Sequence, residues 1–124
     1  MREIKVLISE DIDIIRDIIE QVVKEITGLT VIGKSKSYEE DIDIIEKLSP
    51  DIIMTDLVKN ETEKALDVAK KYNDKKFILI TGMDKRYVSF KILKNNLNNI
   101  IACVSKPFSR DSLKSIIEKS IEDI

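Results

Sequence analysis

Histidine is absent from this sequence of 124 residues, and its absence narrows the chemistry that the protein can perform. Without imidazole there is no histidine general base, no catalytic triad that contains histidine and no histidine-ligated metal site. The single cysteine, Cys103, excludes an internal disulfide and fits a reducing cytoplasm. Any chemistry must therefore use carboxylates, hydroxyls and lysine.

Long apolar runs and glycine-rich loops are missing as well. No apolar run approaches the roughly 20 residues that a membrane-spanning helix needs, and the initial MREIKVLI lacks the pattern of a secretory leader. The three glycines, Gly28, Gly33 and Gly82, do not form the G-x-G-x-x-G pattern of a dinucleotide-binding loop. The formal net charge of −2 gives no overall attraction for nucleic acid. We expect a cytoplasmic protein without a membrane segment and without direct nucleic acid binding by this domain.

The composition is that of one globular domain. Hydrophobic residues make up 43% and charged residues 35% of the chain, with both signs mixed from end to end. No repeat, low-complexity tract or linker divides the sequence. We therefore predict a single domain over residues 1–124.

Five short apolar runs alternate with longer stretches of helical periodicity. The runs, at residues 4–8, 29–32, 52–54, 77–80 and 100–104, are rich in Ile, Leu and Val and have the length of strands. Between them, apolar residues recur every three or four positions, as on the buried face of a surface helix; in the fourth stretch these are Tyr87, Phe90, Leu93 and Leu97. This alternation predicts an α/β fold with a doubly wound, five-stranded parallel sheet, whose functional crevice lies beyond the carboxyl ends of the strands.

Five polar residues follow the predicted strands, at the edge where such a crevice forms. They are Glu10 and Asp11 after the first strand, Asp56 after the third, Thr81 after the fourth and Lys106 after the fifth. Each alone fits an ordinary loop residue, and Asp11 fits a helix cap. Three crowded carboxylates, however, repel one another unless a divalent cation or a lysine offsets their charge. Mg²⁺ suits the site, because it typically takes one or two carboxylates together with waters and phosphate oxygens.

Asp56 is the best candidate for a nucleophile. A carboxylate can attack phosphorus and form an acyl phosphate when a metal ion and a lysine neutralise the transferring oxygens. Asp56 ends the central apolar strand and is followed by Leu57 and Val58, whereas Asp51 starts that strand, at the wrong end. The pattern therefore predicts phosphorylation of Asp56.

These segments together resemble the receiver domain of two-component response regulators, in the CheY-like superfamily, over essentially the whole chain. The matching motifs are IKVLISED, PDIIMTDL, FILITG and VSKPF, in this order. Each is a short and common string, but their order and their positions at strand ends are specific. The resemblance implies a flavodoxin-like (βα)5 fold with strand order 2-1-3-4-5.

The resemblance also implies the metal ligands. Asp11 and Asp56 would coordinate Mg²⁺ directly, Glu10 would hold a metal-bound water, and the backbone carbonyl of Val58 would complete the protein ligands. For the phosphoryl group, it implies that Thr81 binds one oxygen. Lys106 would pair with the group, presented by a cis Lys106-Pro107 bond.

Partners follow from the same resemblance. Because the chain has no histidine, the phosphoryl group must come from a sensor histidine kinase or a phosphotransfer protein. The domain would then phosphorylate itself without turning over a separate substrate, so we expect no enzyme in that sense. An output domain or downstream protein would read the change on the face formed by the fourth helix, fifth strand and fifth helix; a homodimer is an open alternative.

The sequence departs from the family pattern after Asp56 and before Lys106. Receivers usually have a Met-Pro pair and then a glycine after the phosphoacceptor, whereas residues 59–64 read KNETEK, which predicts a differently built loop. Cys103 stands where many receivers keep an aromatic switch residue, and we expect it to pack as a small apolar side chain. The aromatic switch is then absent, or Tyr87 or Phe90 serves in its place.

Two other functions stay open from the sequence. A degenerate receiver would act as a phosphorylation-independent interaction module and recognise its partner through residues 59–64. An aspartyl-phosphate phosphatase or a nucleotide-binding enzyme is the second alternative. Such phosphatases usually place a second aspartate two residues after the nucleophile, where this chain has Val58.

Overall fold

In a computed structural model of the chain, which describes residues 3–122 and 124, five strands form one parallel sheet. The strands are β1 (Ile4–Ser9), β2 (Leu29–Ser35), β3 (Ile52–Asp56), β4 (Lys76–Thr81) and β5 (Ile100–Ser105). Their order in the sheet is β2-β1-β3-β4-β5. Both the five strands and the predicted order are confirmed, and each strand extends past its apolar run into a polar carboxyl end.

The strands alternate with five helices along the described chain. They are α1 (Asp13–Lys24), α2 (Tyr38–Leu48), α3 (Thr62–Lys71), α4 (Lys85–Lys94) and α5 (Arg110–Ser120), and a 3-10 turn at Lys59–Glu61 precedes α3. The side chains of Ser37, Asp84 and Ser109 cap α2, α4 and α5. Asp11 does not cap α1, whose N-cap position is Ile12. Among the described residues, no helix combines the length and the apolar character needed to cross a membrane.

Two hydrophobic cores lie on opposite faces of the sheet. Alternate residues of the strands, such as Ile8 and Met54, point to one face and pack with α1 and α5. The residues between them, such as Leu7 and Ile53, point to the other face and pack with α2, α3 and Val88 of α4. Helices cover both faces of the sheet, so side chains on neither face meet water. This explains the nearly continuous apolar character of the strands. The same covering leaves the carboxyl edge of the sheet as the accessible polar crevice.

The fourth helix differs from its sequence pattern in which face it buries. A helix is present, as predicted, but it ends before Leu97. Three side chains of the predicted stripe point outward: Tyr87 is 46% exposed, Phe90 59% and Leu93 77%. Val88 is the one residue of α4 that is buried against the sheet. A periodic apolar stripe therefore marks an exposed surface here, because the short contact between α4 and the sheet needs only one deeply buried residue.

Candidate functional site

The ends of β1, β3 and β5 bring three charged side chains to one edge of the sheet. Asp56 is the last residue of β3, Glu10 directly follows β1 and Lys106 directly follows β5. The Lys106-Pro107 peptide bond is cis, as predicted. Because all five strands are parallel, their carboxyl ends meet at this edge, and residues 96 positions apart in sequence become neighbours.

The ammonium group of Lys106 lies between two carboxylates. Its Nζ is 2.9 Å from Oε1 of Glu10 and 2.9 Å from Oδ1 of Asp56. The Glu10 side chain is 0% exposed and that of Asp56 is 12% exposed. The ion pairs are thus partly shielded from water. Charges buried in this way would be costly if they had no partner.

Glu10 is the most deeply buried charge of the site. Burial raises the pKa of Glu10, the Lys106 hydrogen bond opposes that rise, and the nearby Asp56 charge adds to it, so the net shift is upward. The Ile12 amide donates to Oε2 at 3.3 Å, and the Arg16 guanidinium donates to the Glu10 backbone carbonyl at 2.9 Å. These contacts hold Glu10 in place even though its charged form is disfavoured by burial.

Lys106 remains a cation in this environment. Burial of the amine lowers its pKa, but hydrogen bonds and charge attraction from Glu10 and Asp56 outweigh that effect, and the pKa of Lys106 is raised overall. A fixed positive charge beside Asp56 can stabilise the negative oxygens of an incoming phosphoryl group.

Asp11 completes an acidic cluster at the rim of the pocket. It is exposed, and one oxygen from each of Glu10, Asp11 and Asp56 lies within 4.8 Å of the others. With all groups ionised, these three carboxylates and the single Lys106 ammonium carry a formal net charge of −2. The adjoining cavity of about 40 Å³ has room for an ion and a few waters. An all-oxygen donor set with this charge fits Mg²⁺.

The Val58 carbonyl is already engaged in the start of α3. It accepts hydrogen bonds from the Glu61 amide at 2.9 Å and from the Thr62 hydroxyl at 3.3 Å. A carbonyl oxygen has two lone pairs, so a metal ion at this oxygen has to compete with these donors. The loop after Asp56 contains a 3-10 turn, Lys59–Glu61, that leads directly into α3. This is the differently built loop that the absence of glycine predicted. The assignment of Val58 as a ligand stays a prediction.

Thr81 lies at the same edge, but its hydroxyl has other partners. The side chain is fully buried; its Oγ1 accepts from the Met83 amide at 2.9 Å and donates to the Leu57 carbonyl at 3.5 Å. Its backbone carbonyl accepts from the Lys106 amide at 2.8 Å. The structure therefore brings Glu10, Asp11, Asp56 and Lys106 together in one charged cluster, with Thr81 directed toward the neighbouring loop.

Among known proteins, the chain is similar to response regulators. No model of a protein family matches it. The response regulator GacA of Pseudomonas syringae pv. syringae (strain B728a) is 37% identical over 54 residues, which are 44% of this chain and 25% of GacA. The protein-glutamate methylesterase/protein-glutamine glutaminase of Methanococcus maripaludis is 27% identical over an alignment of 129 positions that covers the whole chain and 35% of that enzyme. The chain thus spans about a third or less of these relatives.

Solved structures match the fold over nearly its full length. The signal receiver domain of the putative response regulator NarL from Mycobacterium tuberculosis has a TM-score of 0.78 at 13% identity, over 98% of this chain and 99% of that one. The isolated REC domain of RcsB from Salmonella enterica serovar Typhimurium has 0.80 at 17% identity, covering 94% and 87%. The response regulator domain of Thermotoga maritima CheB has 0.78 at 21% identity, covering 96% and 94%.

The chain has the fold of a response-regulator receiver domain. The resemblance drawn from its four motifs is thereby confirmed, and the predicted doubly wound architecture with it. In this receiver fold, Cys103 is half-buried and packs against the core on the side of α2 and α3, and burial raises the pKa of its thiol. It is a packing residue, as expected.

The receiver fold also places two side chains at the site that sequence reasoning missed, both on α2. The Tyr38 hydroxyl donates to the Asp56 backbone carbonyl at 2.7 Å, and the buried Asp41 carboxylate accepts from the hydroxyls of Ser9, at 2.8 Å, and of Ser35. The available signal was that β1 and β2 both end in a serine at the carboxyl edge of the sheet. A buried serine hydroxyl needs a hydrogen-bond partner, but the sequence alone does not identify Asp41 as that partner.

Proposed function

We propose that residues 1–124 form one phosphorylatable receiver domain, in which Asp56 accepts a phosphoryl group and the fold responds by changing conformation to control an output. The observation that carries the proposal is the Lys106 ammonium 2.9 Å from the Asp56 carboxylate, with Glu10 and Asp11 beside it. This arrangement supplies a nucleophile, a fixed positive charge and an acidic metal pocket at one edge of the sheet.

In the proposed reaction, a carboxylate oxygen of Asp56 attacks the phosphorus of the donor in line with the leaving group. The new bond joins that oxygen to phosphorus, the bond from phosphorus to the donor breaks, and the donor leaves with the electron pair. The donor is the phosphohistidine of a sensor histidine kinase or of a phosphotransfer protein. Lys106 pairs with a phosphoryl oxygen of the resulting acyl phosphate.

Asp11, Asp56, the Val58 carbonyl and, through a water, Glu10 would hold Mg²⁺. When bound, this ion supplies charge neutralisation for the phosphoryl oxygens. Thr81 would bind a second phosphoryl oxygen by giving up its present contact with Leu57. The domain then catalyses its own modification and has no separate substrate to turn over, so we propose a signalling domain of the cytoplasm and not an enzyme.

The proposed output lies on the face of α4, β5 and α5. Support comes from α4, where Tyr87, Phe90 and Leu93 expose apolar surface. Exposed apolar patches mark sites of protein–protein interaction. An output domain or downstream protein, or a second copy of the receiver, would read the phosphorylated state there. Phosphorylation would shift the equilibrium between two conformations and would not create a new one.

Incubation with Mg²⁺ and acetyl phosphate tests the proposal, with the mass of the intact protein as the readout. We expect one added phosphoryl group in the wild type and in Asp67→Asn, a control on the exposed surface of α3. We expect none in Asp56→Asn or without Mg²⁺. The absence of an adduct across a range of pH and donor concentration would refute the proposal and support a phosphorylation-independent interaction module.

A further inference from the structure

Tyr38, the first residue of α2, makes direct contact with the backbone around Asp56. The side chain is 8% exposed, and its hydroxyl donates to the Asp56 carbonyl at 2.7 Å and accepts from the Val58 amide at 3.4 Å. The Tyr38 hydroxyl therefore contacts backbone groups on both sides of Leu57, in the turn that follows β3. The local hydrogen bonds of this turn, from the Glu61 amide and the Thr62 hydroxyl, end on the Val58 carbonyl, whereas Tyr38 reaches the carbonyl of Asp56 itself.

The peptide unit that follows Asp56 is held at both of its ends. Tyr38 binds its carbonyl, and the Leu57 amide donates to the Ile80 carbonyl at 2.7 Å. Because a peptide unit is planar and rigid, these two hydrogen bonds fix its orientation. The direction in which Asp56 projects its carboxylate depends on that orientation.

The position of Tyr38 is itself set by an anchor one turn further along α2. Asp41 lies three residues later, on the same face of the helix, and is buried between the ends of β1 and β2, where it accepts from Ser9 and Ser35. Ser9 immediately precedes Glu10. The first turn of α2 thus connects three strand ends: β2 and β1 through Asp41, and β3 through Tyr38.

The chemistry of the phenol suits a permanent contact. A phenol hydroxyl both donates and accepts, so the one Tyr38 side chain can bind the Asp56 carbonyl and the Val58 amide together. The contact with Asp56 has the short distance of a strong O–H···O hydrogen bond.

We propose that Tyr38 is a positioning residue of the phosphoryl-transfer site, which holds the backbone from Asp56 to Val58 so that the Asp56 carboxylate and the Val58 carbonyl face the acidic pocket. This inference rests on the proposed function. Tyr38 does not touch the reacting atoms; it acts through the backbone of the residues that do.

The test compares Tyr38→Phe with Tyr72→Phe, a matched control. Tyr72 is 7% exposed, close to the 8% of Tyr38, but lies at the end of α3 that is remote from the pocket. Without metal, we expect faster hydrogen exchange of the Val58 amide in Tyr38→Phe alone. In an NMR titration we expect its Mg²⁺ affinity to fall roughly tenfold, the usual effect of removing a group that orients a ligand, and acetyl phosphate to label it more slowly. Incorporation of 4-aminophenylalanine at position 38 restores a donor and should recover the affinity.

Unchanged Val58 exchange and Mg²⁺ affinity in Tyr38→Phe would overturn the inference, as would an equal loss in both variants, which would indicate general destabilisation. A wild-type protein that neither binds Mg²⁺ nor accepts a phosphoryl group is a different outcome. It would defeat the proposed function, while the metal-free exchange data would still report whether Tyr38 holds the turn.

Discussion

Lys106 and Asp56 are joined by an ion pair of 2.9 Å across the edge of the sheet, and the same ammonium group contacts Glu10 at 2.9 Å. One cation therefore compensates two carboxylates, one of which is fully buried. This relationship means that the lysine contributes to the stability of the protein as well as to the proposed chemistry.

Replacing Lys106 by glutamine should destabilise the protein in a pH-dependent way. The buried Glu10 charge loses its partner, which costs roughly 1–3 kcal/mol in the free energy of unfolding at pH 7. The pKa of Glu10 is already raised by burial and would rise further. A group with a raised folded-state pKa stabilises the fold when it is protonated, so the loss should shrink as the pH falls and Glu10 takes up a proton.

Urea unfolding of Lys106→Gln at several pH values measures this, with the exposed Lys24→Gln as the control. A destabilisation of equal size at every pH would show that the Glu10–Lys106 pair is not its source.

Asp11→Asn should separate metal binding from stability. Asp11 is exposed at the rim of the acidic cluster, so its neutralisation relieves repulsion among the carboxylates and should not lower the free energy of unfolding in the absence of metal. Its loss as a direct ligand should weaken Mg²⁺ binding by at least about tenfold. Isothermal titration with Mg²⁺ and thermal unfolding without it check both parts, and Asp17→Asn on α1 provides an exposed acidic control. Equal Mg²⁺ affinity in the two variants would remove Asp11 from the ligand set.

The buried Asp41 should make the stability of the protein depend on pH. Burial raises the pKa of Asp41 from 3.8 to about 6, against the hydrogen bonds from Ser35 and Ser9. The stabilisation from its protonated form is complete below pH 3.8 and is lost as the pH rises through about 6. A shift of this size corresponds to about 3 kcal/mol.

The wild type should therefore lose stability between pH 4 and pH 7 relative to Asp41→Asn, whose side chain does not titrate. Denaturant midpoints of both proteins across this range measure the difference. Parallel curves would mean that Asp41 has an ordinary pKa in the folded state.

Val58 and Met83 should shield the acyl phosphate from water. Val58 lies two residues after Asp56 and Met83 two residues after Thr81, and both side chains are apolar. Replacing them with polar groups that can orient water should accelerate hydrolysis of the acyl phosphate. Phosphorylated wild type and a Val58→Asn, Met83→Glu double variant are compared by the decay of the phosphorylated mass over time. An unchanged decay rate would remove the shielding role.

Local pattern was enough to predict the sheet and most of the charged site. Apolar runs of strand length determine where β1 to β5 lie, and their alternation with helical periodicity determines a parallel sheet. Once the strands are parallel, the residues at their carboxyl ends must converge, and for this reason Glu10, Asp56 and Lys106 could be placed together although they are far apart in sequence.

Tertiary packing decided which face of α4 meets the sheet, because the apolar periodicity of that segment indicates a different face. Phe90 and Leu93 repeat with the spacing of a buried stripe, yet they face outward because Val88 makes the contact with the core. The same kind of decision placed Tyr38 against the Asp56 backbone. These contacts depend on the angle and position at which a helix docks, which result from the packing of the whole core and not from the periodicity of one segment.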